Sequence, residues 1–178
     1  MEIPGDPTLR YLGAHADVLV ILTRLSLFAQ TAALLTPEQR QENAVGFIEP
    51  LQAAINEHHA DEESTLFVQM IDLARDATEK ETTQNLISQL VQEHRDIEAT
   101  WSEVRQVLIT LAEQGEHATV MPDARRCADL LARYQQHANF EETVVLPLGQ
   151  SILSDSGGRS SLAPGDLRHR VDNLPGYI

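Results

Sequence analysis

Histidine and glutamate recur at one spacing in two separate stretches of the chain. In NEHHADEES, residues 56–64, His58 precedes Glu62 by four positions and His59 precedes Glu63 by four; in QQHANFEET, residues 135–143, His137 precedes Glu141 by four. On a helix, residues four apart lie one turn from each other on the same face. A single pair of this kind, exposed to water, is an ion pair worth ~0.3–0.5 kcal/mol and does no chemistry. What changes the reading is the company it keeps. His15 and His94 lie on apolar stripes of their own, and Glu98 follows His94 by four.

Carboxylates placed among apolar side chains cost several kcal/mol each when nothing pairs with them. Divalent or trivalent cations remove that cost and take up the lone pairs of the histidines. Imidazole with carboxylate is the donor mix expected for iron, with manganese and zinc as poorer fits. Two glutamates reaching in from two helices can bridge ions ~3.5–4 Å apart, as two-metal sites require. The repeated spacing lets each helix supply one terminal nitrogen and one bridging carboxylate.

These residues need helices to carry them, and the rest of the sequence supplies helices. There is no sustained apolar/polar alternation and no Asn-Gly or Asp-Gly hairpin turn. Asp6-Pro7 reads as an N-cap followed by proline at the first helical position. The first stripe holds Leu12, His15, Val18, Leu19, Leu22 and Leu25, and the helix is expected to reach about residue 33. Thr36-Pro37-Glu38-Gln39 has the pattern of a capping box. It opens a stripe of Phe47, Leu51, Ile55, His58, Glu62 and Leu66 that ends near Asp76, with Pro50 inside it. Proline removes a hydrogen bond, so a kink, or a new helix from about residue 49, is expected there.

Thr78 with Glu81 suggests the third start, ahead of Ile87, Leu90, Val91, His94, Ile97, Glu98, Trp101, Val104 and Leu108. EQGEHATVMP breaks the pattern, and Pro122 opens a fourth helix with Cys127, Leu130, Leu131, Tyr134, His137, Glu141, Val144, Val145 and Leu148. The expected architecture is all-α: an antiparallel up-down four-helix bundle over residues 1–151, with an irregular tail over 152–178 that is rich in Gly, Ser and Pro.

Composition narrows the functions open to such a bundle. The chain has 178 residues and a formal net charge of −14, from 27 acidic and 13 basic residues. That charge repels phosphate backbones and anionic lipid, so neither nucleic acid nor membrane is an expected partner. A single cysteine, Cys127, excludes an internal disulfide and suits a reducing compartment. The start of the chain has no basic-then-apolar signal pattern, and no stretch reads as the ~20 apolar residues of a membrane span. A cytoplasmic location is the expectation. The oligomeric state has no signature.

The chain resembles the hemerythrin-like (HHE cation-binding) family. The matching residues are His15 in GAHADVL, His58 and Glu62 in HHADEE, His94 in QEHRDIE, and His137 and Glu141 in HANFEETVVLP. The resemblance covers about residues 6–150. It implies a four-helix bundle around a centre of two non-haem iron ions. By analogy one iron takes His15 and His58 and keeps an open position, the other takes His94 and His137, and Glu62 and Glu141 bridge them. Two departures stand out. The oxygen-carrying members have a fifth histidine four residues after the third-helix ligand, where this chain has Glu98. They also close with a histidine followed five residues on by aspartate, where this chain has Glu141 at four and Glu142 at five. Glu98 is therefore expected as a ligand, or a close neighbour, of the iron held by His94 and His137. Added carboxylate stabilises the ferric state and weighs against simple oxygen transport.

Other residues receive plainer readings. His59 and Glu63, about 100° round the helix from the ligand stripe, are expected to form a solvated ion pair. Tyr11, Tyr134, Trp101 and Cys127 are expected to pack the core, and His117 and His169 to lie in loops away from the site. The leading functional reading is a di-iron protein that binds or reacts with a small ligand (oxygen, nitric oxide or peroxide) at the open position. Sensing, storage, detoxification and iron handling all fit that chemistry. An oxygenase or oxidase acting on an organic substrate is the alternative.

Overall fold

A computed structural model describes residues 9–155. The Asp6-Pro7 cap, His169 and the tail from residue 156 lie outside the described residues, as does the side chain of Tyr11. Among the described residues there is no strand. The helices are α1 (Leu9–Thr31), α2 (Pro37–Asp61), α3 (Phe67–Leu73), α4 (Ala77–Gln114), α5 (Ala124–Phe140) and α6 (Leu146–Asp155). Two π-helical turns, Glu62–Leu66 and Glu141–Val145, weld α2 to α3 and α5 to α6, so the six segments make four rods. α1 packs on α2 and α5, and α4 packs on α2 and α5, which closes the up-down bundle the sequence implies.

Local signals place the ends. Thr36 accepts from Gln39 N–H while the Gln39 side chain accepts from Thr36 N–H, a complete capping box. The third rod is capped by Asp76, which accepts from Glu79 N–H, two residues before the expected Thr78. Asp123 rather than Pro122 starts the fourth, accepting from Arg125 and Arg126 N–H. In both cases an aspartate is the stronger cap at the position where the chain leaves extended backbone. Gly115 ends α4 with a φ of 52°, a left-handed turn in which a side chain would also crowd Gln41.

Three further expectations change. Pro50 does not split the second rod: α2 runs from Pro37 to Asp61 without a break. Pro50 is on the exposed side, where water can take over the hydrogen bond it removes. The fourth rod continues past residue 151 to Asp155, because Ile152 is buried and Leu153 packs on the core. And Ala14–Leu34 is long and apolar enough to cross a membrane by length and composition, with mean hydropathy 1.5. Its inward stripe, Val18, Leu22, Leu25, Phe28 and Ala32, is buried in the bundle core.

The core is in two parts. The larger holds Val18, Leu22, Leu51, Ile55, Ile97, Trp101, Leu108, Cys127 and Leu130. The smaller holds Leu66, Phe67, Met70, Ile87, Leu90, Val91, Val145 and Leu146. Trp101 and Cys127 are core residues, as expected; Trp101 Nε1–H donates to Gln52, and burial pushes the Cys127 thiol up to about 11. On the second, third and fourth rods the buried residues between the two parts are histidine and glutamate, and α1 adds His15 at the same level. The bundle therefore carries one polar layer between two apolar ones.

Candidate metal centre

That layer is almost dry. His15, His59, Glu62, Glu63, His94, His137 and Glu141 are buried, and His58 is 9% exposed. Two sets of side chains each bring ligand atoms within 4.8 Å of one another: His59, His94 and His137, and His15, His58, Glu62 and Glu141. The two sets adjoin. Glu62 lies with Oε1 2.9 Å from His58 Nε2 and Oε2 3.4 Å from His94 Nε2, one oxygen toward each set. Glu141 Oε2 lies 3.1 Å from His15 Nε2 and 3.6 Å from His137 Nε2.

The outer nitrogens explain why the inner ones face inward. His15 Nδ1 bonds Glu142 at 3.1 Å, His59 Nδ1 bonds Glu98 at 3.0 Å, His94 Nδ1 bonds Glu63 at 2.7 Å and His137 Nδ1 bonds Glu93 at 3.3 Å. An ionised carboxylate can only accept, so each Nδ1 carries a proton and, in the neutral ring that binds a cation, each Nε2 keeps a lone pair. Despite their closeness, Nε2 of His15, His59, His94 and His137 and both oxygens of Glu62 and of Glu141 make no hydrogen bond of sound geometry. Eight buried polar atoms aimed at one another without bonds would be costly. Metal coordination is the arrangement that satisfies them, and histidines backed by carboxylates are the usual surroundings of a metal. The residues present thus fit a cation.

The π turns belong to this design. Each begins at an inward glutamate, Glu62 or Glu141, four residues after a histidine of the layer. A π turn inserts one residue, so two successive side chains can face the same side; such turns are frequent at functional sites. Glu62 faces the centre while Glu63 is buried behind His94. Glu141 faces the centre while Glu142 stands behind His15.

The hemerythrin HHE cation-binding domain matches residues 12–149, a span that contains every residue of the layer. The chain belongs to the hemerythrin HHE cation-binding family. No curated protein and no solved structure gives a significant match. In this hemerythrin-family chain, the His/Glu layer fits a metal site.

The sequence expectations fare unevenly there. His15, His58, Glu62, His94, His137 and Glu141 all stand in the layer with atoms turned inward. Glu98 does not. It is outside both sets of inward atoms, with its side chain 28% exposed, bonded to His59 Nδ1 and to Arg95. The position four after His94 looks past the centre, at the back of the histidine on the neighbouring rod. His59 is the residue missed. It is 1% exposed rather than solvated, and its ring stacks on His94 with centroids 3.9 Å apart and planes 2° apart. Glu63 is likewise buried rather than paired in water. His117 is in an exposed turn, as expected.

The electrostatics follow from burial and neighbours. Burial and the other charged histidines hold His58 down at about 3 and His94 well below the usual range. Burial holds His59 down as well, against the pull of Glu98. Burial and the facing Glu141 push Glu62 well up. For Glu141, burial is outweighed by contact with His15 and by the charges of His15, His137 and His58, so it stays ionised; His15, paired to it, is raised. Without metal, burial and neighbours thus favour a proton on His15 and a proton on Glu62.

A cation must displace them. Metal uptake is expected to release protons from His15 and Glu62, whose protonated forms the empty site favours, and none from His58, His59 and His94, which it holds neutral. Affinity should then fall as pH falls through the raised range of His15, by up to about tenfold per pH unit for each proton displaced. Calorimetric metal titration in two buffers of different ionisation enthalpy measures the release, and Glu62→Gln should diminish it.

Proposed function

We propose that the layer holds two iron ions bridged by Glu62 and Glu141, and that it binds or reacts with a small ligand such as oxygen, nitric oxide or peroxide. The observation that carries this reading is the division of donors. Three histidines form one set and two form the other, with one Glu62 oxygen toward each. Five imidazole nitrogens and four carboxylate oxygens are fewer than two six-coordinate ions need. The shortfall is larger on the side of His15 and His58, which has one histidine fewer. Imidazole and carboxylate donors suit iron. When bound, the ions supply electrons and Lewis acidity to a small ligand at the open position.

The chain's own residues tune that site. Four of the five histidines have an acid behind Nδ1, which raises their basicity and adds negative charge around the ions. This favours the oxidised state and disfavours reversible oxygen carriage, so reaction, sensing or iron handling fits better than transport. An open cleft of about 500 Å³ between α1 and α2 leads from Asp17, Pro50, Glu57 and Asp61 down to His58. It ends at the side with fewer donors. His58 is also the most exposed of the inward histidines. The same cleft is what favours the alternative, an oxidase acting on a small organic molecule, which the acids at its mouth restrict to neutral or cationic compounds.

The test is to add nitric oxide anaerobically to the reduced, iron-loaded protein. One nitric oxide per pair of irons, seen as a new optical and magnetic signal, is the expected result. No binding at millimolar nitric oxide would contradict the open position.

A further inference from the structure

Tyr134 stands on α5, one turn before His137, and its side chain is completely buried. Its ring centroid is 6.0 Å from that of His15, 5.8 Å from His137 and 6.5 Å from His59, histidines of three different rods. The expected role was core packing, and the ring does border the larger apolar core. Its hydroxyl, however, makes no hydrogen bond. A buried tyrosine ordinarily finds a partner for its hydroxyl, because leaving it dry costs the hydration it lost. Phenylalanine would fill the same space without that cost. The ring stands beside three histidines of the layer, and the chain itself offers its hydroxyl no partner.

We propose that Tyr134 is the hydrogen-bond donor of the ligand pocket, its O–H donating to a small anionic or polarised ligand held at the centre. This rests on the small-ligand reading above. His15 and His137, which flank the ring, are the two histidines that Glu141 touches, one from each donor set. A ligand at the less crowded His15–His58 side therefore lies next to the ring that carries the hydroxyl. Burial, with Glu62, Glu141 and Glu142 nearby, keeps the phenol protonated, so it can donate at any working pH. The consequence is selectivity. Ligands whose outer atom carries negative charge gain a hydrogen bond, and apolar diatomics gain none.

Azide is the probe, added to the iron-loaded ferric protein and followed by its charge-transfer band. Tyr134→Phe, which removes one oxygen and keeps the ring, is expected to raise the azide dissociation constant about tenfold, the effect of one hydrogen bond to a charged acceptor. It should also shift the band, while iron content and the thermal unfolding midpoint stay at wild-type values. A second measurement does not depend on that variant. Replacing all tyrosines by 3-fluorotyrosine makes the phenol a stronger donor and should tighten azide binding. Wild-type binding with an unchanged constant and band in Tyr134→Phe, or weaker binding in the fluorinated protein, would overturn the role of Tyr134 alone. A loaded wild-type protein that binds no azide would overturn the small-ligand reading and this role with it.

Discussion

Glu62→Ala is expected to fold as a bundle and to hold almost no metal. Its two oxygens face different donor sets, 2.9 Å from His58 on one side and 3.4 Å from His94 on the other. Removing the side chain takes a donor from both at once, and the expected loss exceeds the 10–100-fold usual for an outer partner of a metal ligand. Without metal the variant should be no less stable than the wild type. The deleted carboxyl is one that burial and Glu141 push well up, a sign that its charged form is unwelcome there. Metal content by elemental analysis, with unfolding midpoints measured with and without added iron, checks both parts. A variant that keeps its full metal complement would show that Glu62 does not link the two sets.

His59→Ala should cost a large part of the metal affinity, in contrast to the outcome its solvated-pair expectation implies. His59 is one of three histidines in its set, so its loss leaves two nitrogens where there were three. A drop of at least 10–100-fold is expected for the ion on that side, with the His15–His58 side less affected. Glu98→Gln, which weakens the hold on His59 Nδ1 without touching the centre, should show a smaller loss of the same kind. His117→Ala, in an exposed turn, should show none. Stepwise iron titration of the four proteins measures this. If His59→Ala binds both ions as tightly as the wild type, the stacked ring on His94 is packing and nothing more.

The bundle was legible because its signals are local and repeated. Stripes at helical spacing on all four rods, the Thr36 box and the proline and glycine breaks agree with one another and with the fold. The six inward residues His15, His58, Glu62, His94, His137 and Glu141 were legible for the same reason, since each lies on an apolar stripe. His59 was not, because a strict stripe admits one residue per turn, and the helix here buries two neighbours side by side. The π turn from Glu62 adds to the difficulty: an inserted residue shifts the register of everything after it, and nothing in ordinary helix propensity announces it. Glu98 was read half right: it stands behind His59, a neighbour of the His94–His137 set, but not among the inward donors. Its spacing from His94 was right, but spacing on one rod says nothing about which side chain of the next rod meets it. The acids behind the histidines, Glu63, Glu93 and Glu142, did leave a trace, each adjacent in sequence to an inward residue. Their role depends on contacts between rods that only the packed bundle defines.

The proposed centre is two ions shared between three histidines and two, with Glu62 and Glu141 between them. The direct measurement is the metal content of the full chain purified anaerobically from iron-replete cells, with protein concentration from amino-acid analysis and an optical spectrum after exposure to air. Two irons per chain, with charge-transfer bands that appear on oxidation, is the predicted result. Less than one bound metal per chain in a protein that is folded and helical would contradict it.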